Sequence, residues 1–300
     1  MVFTNQLPSV VSDKVPNYFL NTQQVADYWN DGFLFPLRVL TLEQASNYRT
    51  QLESIERIHT DNLSLHRPLR DYIRTHSDVI MPMAAELALQ PSVLDAVESI
   101  IGPDLMIWGA DFFIKEANSP MRVSMHQDLT YWGFGETSNQ VTAWIALTSS
   151  TVESGCVDLV KGSHKNPILP HTDTLAEDNL LSRGQEVDAD VRDEDRSHVV
   201  LAPGEMSLHH GLTIHGSNPN VSKDRRIGYA IRYISPDARQ KSARREYAML
   251  ARGVDRSNSF IHYAPPTSLF STSSLSLYEE IKTEQSKVLM ADMEVPGINS

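Results

Sequence analysis

The chain has little cysteine and no long apolar segment, and both absences narrow its class. Cys156 is the one cysteine among 300 residues, so no disulfide can form within the chain, which fits a reducing compartment. No apolar run approaches the ~18 residues of a membrane-spanning helix. The first residues lack the basic and apolar stretches of a secretory signal. We therefore expect a cytoplasmic protein without a membrane span, with Cys156 as a small core residue.

Positive charge is also scarce. The chain has 26 Lys and Arg residues against 38 Asp and Glu residues, which gives a formal net charge of -12. Nucleic-acid phosphates and anionic membranes repel such a surface. We expect no nucleic-acid or membrane partner, a small molecule as substrate, and a monomer or homodimer. The hydrophobic content of 41% is ordinary for a globular protein.

The hydrophobic pattern predicts one domain, 1–300, in three parts. Residues 20–102 have mainly helical periodicity after an irregular arm over residues 1–20. Residues 103–235 hold short runs of β-branched and aromatic residues without intervening helices, which is typical of a two-sheet jelly roll. Residues 236–300 form a C-terminal cap and tail with a short helix near 277–290. The predicted fold is therefore mainly β with α decoration, and the N-terminal helices pack on one sheet.

Local signals set the expected ends of these elements. Thr22, Thr41 and Ser92 are predicted N-caps, because a short polar side chain can accept a hydrogen bond from the first free backbone N–H groups of a helix. Prolines at 82 and 91 punctuate the helical stretch from Leu69 to Ile101. Eight strands are predicted in the jelly-roll part: Leu105–Lys115, Arg122–His126, Val141–Leu147, Cys156–Val160, Val199–Leu201, Met206–His209, Thr213–His215 and Ile227–Ile234.

Two polar segments could close over a site at the mouth of the jelly roll. Residues 171–198 are acidic and predicted to be a solvated loop, with a lid as the alternative. The basic segment Arg239–Arg252 is predicted to be a solvated helix face, with a cap that meets an anionic substrate as the alternative. The sequence leaves open whether 171–198 or 236–262 is the lid.

The strongest chemical signal is a His-X-Asp motif with a distant histidine. His126 and Asp128 lie two residues apart, so on a strand their side chains share one face. His215, some ninety residues later, could complete a set of two histidines and one carboxylate. Such a set binds Fe(II) on one face and leaves three positions open. His-X-Asp alone is a weak signal, so the surrounding motifs decide its meaning.

Those motifs occur in the order usual for one family. They are Met125-His126-Gln127-Asp128, the run from Val141 to Leu147, Gly155 with Lys161-Gly162-Ser163-His164, Pro203-Gly204-Glu205, and His215-Gly216-Ser217 followed by Arg226. Over about residues 20–255 the chain resembles the phytanoyl-CoA dioxygenase family of Fe(II)- and 2-oxoglutarate-dependent oxygenases, to which ectoine hydroxylase also belongs. The resemblance implies a double-stranded β-helix, a cupin-like jelly roll, with the metal inside the barrel.

The resemblance also implies the metal ligands. They are His126, Asp128 and His215, since His215 alone among the nearby histidines is followed by Gly-Ser and, eleven residues on, by an arginine. His209 and His210 lie on the neighbouring strand and are expected to line the barrel or support the ligands. His164, in the Gly-Ser-His corner, is expected to be structural.

The same resemblance assigns a binding site for 2-oxoglutarate. Arg226 is the expected partner of its far carboxylate, which a planar guanidinium can bind with two hydrogen bonds. Ser217 and Trp144 are expected beside it. Lys115 either joins them or lies at the surface with its charge in water. Arg225 points to the opposite strand face and is expected to be a surface charge.

The expected substrate pocket contains Trp132, Tyr131, Met125 and His209. Trp132 lies six residues after His126, at a spacing where ectoine hydroxylase also has a pocket tryptophan. Tyr131 is the weaker candidate of the two aromatic residues.

The implied activity uses Fe(II), 2-oxoglutarate and O₂ and releases succinate and CO₂. Hydroxylation of an unactivated C–H bond in a small or medium organic molecule is the expected outcome, with ring formation or desaturation as alternatives. Family halogenases replace the carboxylate ligand by a small residue, so Asp128 argues against halogenation. A jelly-roll metal protein without redox chemistry would not need the pair Arg226 and Ser217. Phytanoyl-CoA itself is not the expected substrate, because the chain is acidic where a CoA-binding rim should be basic.

Overall fold

The structure is a computed structural model that describes residues 19–181, 183–241 and 245–291, with side chains up to residue 287. The arm predicted over residues 1–20 therefore lies almost wholly outside the described residues, as does Arg244 of the basic segment. Within the described part, no helix is long and apolar enough to cross a membrane.

Among the described residues, one helix precedes the first strand, five lie between the first and second strands, and one follows the last strand. They are α1 (Thr22–Asp31), α2 (Leu42–His59), α3 (Leu69–Arg74), α4 (Ser77–Ile80), α5 (Pro82–Ala88), α6 (Pro91–Ile101) and α7 (Thr272–Ala291).

The helix caps were predicted with mixed success. Thr41 caps α2 as expected, because its side chain accepts from the backbone N–H of Gln44 and Gln44 returns the bond to Thr41. The cap of α1 is Asn21 and not Thr22, since Asn21 forms the same reciprocal pair with Gln24. Ser92 is not a cap: Pro91 takes the first position of α6, where its missing N–H costs nothing.

Thirteen strands occur in the described residues. They are β1 (Phe33–Arg38), β2 (Leu105–Lys115), β3 (Val123–His126), β4 (Gln140–Ala146), β5 (Val157–Val160), β6 (His171–Asp173), β7 (Gln185–Val187), β8 (Arg196–Val199), β9 (Glu205–His209), β10 (His215–Ser217), β11 (Arg226–Ile234), β12 (Glu246–Arg252) and β13 (Phe260–His262).

These strands form the two facing sheets of a jelly roll, which confirms the predicted fold class. The larger sheet has the order β1-β9-β4-β11-β2-β12-β13, and the smaller has the order β3-β10-β5-β8. Strands β6 and β7 pair separately. The order is far from the chain order, so residues distant in sequence meet on neighbouring strands.

The central strand β11 separates the helical layer from the barrel interior by simple alternation. Its Tyr229 and Tyr233 point outward and donate hydrogen bonds to the carbonyls of Ala84 and Ala88 on α5. Arg226 and Ala230, on the other face, line the interior. The N-terminal helices thus cover the larger sheet, as predicted.

Two segments differ from their predicted form. Residues 171–198 are not a plain solvated loop, because they contain the β6–β7 hairpin and β8, which pairs with β5. The basic segment is not a helix face, because β12 extends the larger sheet beside β2. Arg252 in that segment pairs with Asp95 and Glu98 of α6 and so ties the sheet to the helices.

The outward tyrosines of β11 give a stability prediction. Tyr229→Phe removes a buried hydrogen bond to the carbonyl of Ala84, so we expect the free energy of unfolding to fall by about 1 kcal/mol. The matched control is Tyr247→Phe, whose hydroxyl bonds to Glu280 at the surface, and it should change stability by less than about 0.5 kcal/mol. Urea denaturation of both variants measures the difference. Equal effects would mean that the Tyr229 bond does not couple the helices to the sheet.

Candidate metal centre and its cavities

Three side chains, two from strands and one from the turn that follows the first strand, converge inside the barrel. His126 ends β3, His215 begins β10, and the two are direct partners in the ladder between these strands. The Asp128 Oδ1 atom lies 3.4 Å from His126 Nε2 and 3.8 Å from His215 Nε2. The three potential ligand atoms therefore face one point, as a facial triad requires.

Asp128 reaches this point by a different route from the one predicted. Strand β3 ends at His126, and Asp128 begins a 3-10 turn that runs to Thr130. The carboxylate thus meets His126 because the chain turns, not because two side chains alternate along a strand. Gln127 fixes the turn, since its side chain donates to the carbonyl of Leu212 and accepts from the N–H of Leu169.

Backbone carbonyls set the protonation of both histidines. His126 Nδ1 lies 2.9 Å from the carbonyl of Ser124, and His215 Nδ1 lies 2.9 Å from that of Thr213. A carbonyl can only accept, so each Nδ1 carries the proton and each Nε2 keeps a lone pair toward Asp128. This arrangement prepares both rings to bind a metal through Nε2.

The pKa values of the site also suit a metal. Burial raises the pKa of the Asp128 carboxyl, but His215, His126 and His209 more than offset this, so its pKa lies well below the ordinary value. Burial and His126 hold the pKa of His215 well below its ordinary value. A carboxylate beside a neutral imidazole is the form that coordinates a divalent cation.

A narrow cavity of about 70 Å³ runs from the triad to the far end of the barrel. Arg226 stands at that end, 1% exposed, and its Nε and Nη2 atoms have no hydrogen-bond partner among the described residues. Burial lowers the pKa of Arg226 to about 10, so it stays charged at neutral pH. A buried cation with free donors requires an anionic partner. The narrow cavity is lined further by Phe113, Val123, Thr142, Trp144, Val157, His209 and Ser217.

Trp144 forms the floor beneath Arg226. The guanidinium carbon lies 5.2 Å from the centre of the indole ring, within the range of a cation–π contact. Gly228 makes room for this ring, because a Cβ atom there would lie 1.8 Å from Trp144 Cζ2. Trp144 was expected near the cosubstrate, whereas the role of Gly228 was not predicted. Gly228 lies two residues after Arg226 on β11, and this spacing was the signal that could have identified it.

Lys115 lies behind Ser217, near the end of the narrow cavity where Arg226 stands, and does not line the cavity itself. It is fully buried, so the alternative of a surface lysine is wrong. Its Nζ atom donates to Ser217 Oγ at 2.6 Å and to the carbonyl of Asn218. Burial, helped by the charge of Arg226, lowers the pKa of Lys115 to about 6. At neutral pH the amine is therefore largely uncharged.

Arg225 points away from the cavity as expected, but it is not a solvated surface charge. Its guanidinium donates to Glu56 at 2.8 and 3.0 Å and to Glu116 at 2.7 Å. The Arg225 side chain is 20% exposed and also lies 3.5 Å from Glu53. It therefore links α2 to the end of β2. The expectation of a surface charge at Arg225 was wrong because its acidic partners are distant in sequence.

A wide cavity of about 420 Å³ opens on the other side of the triad. His126 and Asp128 line both cavities, and so does Arg232, which lies six residues after Arg226 on the same face of β11. Arg232 Nη1 bonds to Asp111 Oδ2 at 2.5 Å, and its guanidinium lies 5.5 Å from the Trp132 ring. The two cavities thus meet at the metal centre.

The expected pocket residues fall in different places. Trp132 and Tyr131 line the wide cavity, and His209 lines the narrow one, 3.8 Å from Asp128. Met125 lines neither, because the strand alternation that turns His126 inward turns Met125 toward Gly216. Several residues in the wall of the wide cavity were not predicted. They come from β2, α3, β12 and α7: Trp108, Asp111, Arg74, Glu246, Tyr278 and Lys282.

Both candidate lids contribute to the wide cavity. Leu180, Leu181 and Gln185 come from the acidic segment, and Glu246 comes from the basic one. Residues from both segments therefore line the wide cavity, although the sequence had left the two segments as alternatives for the lid.

A second set of potential ligands lies on β5 and β8 and at the residue just before β5. Cys156, Asp158 and His198 bring their ligand atoms within 4.8 Å of one another. His198 Nδ1 bonds to Asp158 Oδ1 at 2.6 Å across the ladder, so two of the three groups satisfy each other. In the first triad the corresponding distance, from His126 Nε2 to Asp128 Oδ1, is longer, at 3.4 Å.

The fold and the site together define a jelly-roll protein with a potential metal centre at which two cavities meet. The family model described as phytanoyl-CoA dioxygenase (PhyH) matches residues 28–228, more than half of the chain. The chain belongs to this family, and it is an Fe(II)- and 2-oxoglutarate-dependent dioxygenase. Its cofactor set is accordingly Fe(II), 2-oxoglutarate and O₂.

Individual relatives support this placement. The peroxisomal phytanoyl-CoA dioxygenase of Bos taurus is 28% identical over 227 residues, which cover 69% of this chain and 66% of that protein, just under two thirds of its length. Among solved structures, the non-heme monooxygenase ThoJ in its apo form is 28% identical with a TM-score of 0.80, over 90% of this chain and 99% of that one. CytC3 with Fe(II) and alpha-ketoglutarate, 19% identical over 81% of this chain and 93% of that one, shares the fold with a TM-score of 0.59. The likeness to ectoine hydroxylase stays a prediction.

The close fit between Gly228 and Trp144 gives a second prediction. Gly228→Ala should lower the free energy of unfolding by about 1–3 kcal/mol, because the added methyl overlaps the indole. The double variant Gly228→Ala/Trp144→Phe should recover part of the loss, since phenylalanine lacks the overlapping atoms. Thermal and urea unfolding of the single and double variants measure this. Full stability in the single variant would show that Trp144 does not lie against β11.

The buried lysine gives a prediction about pH. The pKa of Lys115 is about 6 in the folded chain and about 10.4 in an unfolded one. Between these values the unfolded state binds more protons, so stability rises with pH, by up to about 1.4 kcal/mol per pH unit. Lys115→Met should flatten this rise above about pH 6.

The control for Lys115→Met is Lys223→Met, which changes an exposed lysine. Urea unfolding is measured for wild type and both variants across the neutral and alkaline range. Parallel stability curves for wild type and Lys115→Met would contradict the burial of a largely uncharged amine.

Proposed function

We propose that this dioxygenase hydroxylates an unactivated C–H bond of a small or medium organic molecule and releases succinate and CO₂. One observation carries the proposal: Arg226 is buried at the end of a cavity that begins at the triad, and two of its donors are free. A dicarboxylate bound to the metal at one end would place its other carboxylate on these donors. A metal protein without redox chemistry has no use for such an arrangement.

The residues of the triad fit an iron ion. His126 and His215 would each bind it through Nε2 and Asp128 through Oδ1, because these atoms face one point and both Nδ1 atoms are already engaged. Bound iron, with 2-oxoglutarate and O₂, supplies the oxidising power for C–H cleavage while 2-oxoglutarate is decarboxylated. The presence of Asp128 keeps a third protein ligand on the metal and argues against halogenation.

The other residues bind and orient. Arg226 and Ser217 would hold the far carboxylate of 2-oxoglutarate, with Trp144 beneath the guanidinium. Lys115 fixes Ser217 by its hydrogen bond. Trp132 and Tyr131 form walls that would exclude water and direct one C–H bond of the substrate to the centre. The wide cavity is the proposed substrate site, since it reaches the same His126 and Asp128 from the opposite side.

Location and assembly are also parts of the proposal. We infer a cytoplasmic enzyme that acts as a monomer or homodimer on a small-molecule substrate. The single cysteine and the acidic composition support this inference. Fractionation of the source cells and light scattering of the purified protein test these two points.

Replacement of Arg226 tests the cosubstrate site. Arg226→Ala leaves a buried carboxylate without its charge partner, which costs on the order of 3–5 kcal/mol. We therefore expect the apparent KM for 2-oxoglutarate to rise by about two to three orders of magnitude. Arg226→Lys should recover only part of the affinity, because an ammonium cannot form the paired hydrogen bonds of a guanidinium.

The neighbouring Arg225→Ala serves as the control. It breaks the ion pairs with Glu56 and Glu116, so it should lower stability yet leave the affinity for 2-oxoglutarate within about twofold. The titrations are run at a temperature where all variants are folded. A near-normal KM in Arg226→Ala together with a large rise in Arg225→Ala would show that the carboxylate site is misassigned.

A further inference from the structure

One carboxyl group in the wide cavity has no task in the proposed chemistry. Glu246, on β12, is 3% exposed and lines the cavity that reaches His126 and Asp128. Its Oε2 atom accepts a hydrogen bond from the indole N–H of Trp108. Its Oε1 atom has no hydrogen-bond partner in the part of the chain that the structure describes. Glu246 is therefore a buried carboxyl group in the cavity wall, and one of its two oxygens is unpartnered among the described residues.

The other carboxyl groups of the cavity are already used. Asp111 is held by Arg232 and by the backbone N–H of His76. Asp128 belongs to the triad, and Asp71 has a 41% exposed side chain. Glu246 differs from all three, because none of the ion pairs found among the described residues includes it. Burial raises its pKa to about 7, so it is readily ionised by a cation bound beside it.

Two indole rings line the cavity together with Glu246. The Trp108 and Trp132 rings lie 5.2 Å apart at an angle of 45°, and Phe134 meets Trp108 at 5.5 Å. Aromatic faces attract cations, most strongly when water is excluded. Arg232 lies against the Trp132 ring, but Asp111 neutralises it. The wall also contains Arg67, which pairs with Glu279, Arg74, which donates to the carbonyl of Leu180, and Lys282. Among the described residues, none of these cations forms an ion pair with Glu246, so the carboxyl group and the aromatic surface remain available to a ligand.

A substrate that binds well here must supply a partner for the carboxyl oxygen of Glu246 and a surface that suits the indole rings. A buried polar atom without a partner costs free energy, and a ligand that supplies the partner recovers it. A hydroxyl group would satisfy the oxygen alone. A protonated amine would satisfy the oxygen, compensate the charge and contact the indoles. The combination therefore favours an ammonium group over a neutral donor, and it disfavours a carboxylate.

We propose that Glu246, Trp108 and Trp132 form a subsite for a protonated amino group on the substrate. This inference rests on the proposed function for the identity of the wide cavity as the substrate site. It assigns the substrate to the class of organic amines, held by the amino group while a C–H bond elsewhere in the molecule reaches the metal centre.

Three probes of equal size test the charge preference. Benzylammonium, benzyl alcohol and benzoate are titrated calorimetrically into the full-length protein, with and without Mn(II) and 2-oxoglutarate, at a pH where Glu246 is ionised. We expect benzylammonium to bind at least about tenfold more tightly than the other two. Equal or tighter binding of benzyl alcohol or benzoate would overturn the proposal.

Glu246→Gln identifies the group responsible. The amide oxygen can still accept from Trp108, which leaves the NH₂ group facing the cavity, a donor where the wild type has an acceptor. Benzylammonium binding should weaken about tenfold or more, while benzyl alcohol binding changes little. Glu43→Gln, which removes an exposed acid near the start of α2, is the matched control and should leave all three affinities unchanged. Unchanged benzylammonium binding in Glu246→Gln would refute the assignment.

A second variant keeps the test decisive if Glu246→Gln does not fold. Trp132→Leu removes one indole face and keeps the carboxyl, so benzylammonium should again lose affinity relative to benzyl alcohol. An equal loss for both probes would count against the aromatic part of the subsite. The binding assays need no turnover, so failure of the proposed function is a separate outcome: benzylammonium would still bind, while Mn(II) and 2-oxoglutarate would not.

Discussion

The pairing of β3 with β10 is the contact on which the site depends. It makes His126 and His215 direct neighbours, although almost ninety residues separate them. Each ring is held by a carbonyl two residues before it in the chain, which fixes both the orientation and the proton. The turn after β3 then brings Asp128 to the two free nitrogens. A slip of one residue in this ladder would turn one histidine out of the barrel, so the register itself is part of the metal site.

The larger sheet contributes the second half of the site through β11. Alternation places Arg226, Gly228, Ala230 and Arg232 on the inner face and the tyrosines on the outer face, against α5. Arg226 ends the narrow cavity, and Arg232 stands where the two cavities meet. The helices on the outer face therefore do more than cover the sheet: they hold the strand that carries the buried Arg226 and the partly buried Arg232.

Much of this arrangement could be predicted from local sequence signals. The proposed ligands His126, Asp128 and His215, and the proposed carboxylate partner Arg226, were implied by the family resemblance that the short motifs carry. The strand pattern after Pro103 predicted the jelly roll, because alternation and turn residues are properties of neighbouring positions. The orientation of Arg225 followed from the same alternation.

The parts that could not be predicted arise from long-range packing. The partners of Arg225 lie on α2 and at the end of β2, and Lys115 is buried because Ser217 and Asn218 close over it. Glu246 meets Trp108 from 138 positions away. No periodicity or spacing encodes such contacts, and the walls supplied by α3 and α7 were missed for the same reason. Met125 was included in the pocket for its closeness in sequence, which the alternation of β3 overrides.

The most direct test of the account is an anaerobic titration of metal and cosubstrate together. Calorimetry with Fe(II), followed by 2-oxoglutarate, should show one metal per chain in the wild type and cosubstrate binding that is tight only after the metal is present. His215→Ala should lose both events while its circular dichroism stays that of the folded protein, because the barrel core does not depend on the metal. Undiminished Fe(II) affinity in a folded His215→Ala variant would contradict the central claim that β3 and β10 together build the iron site.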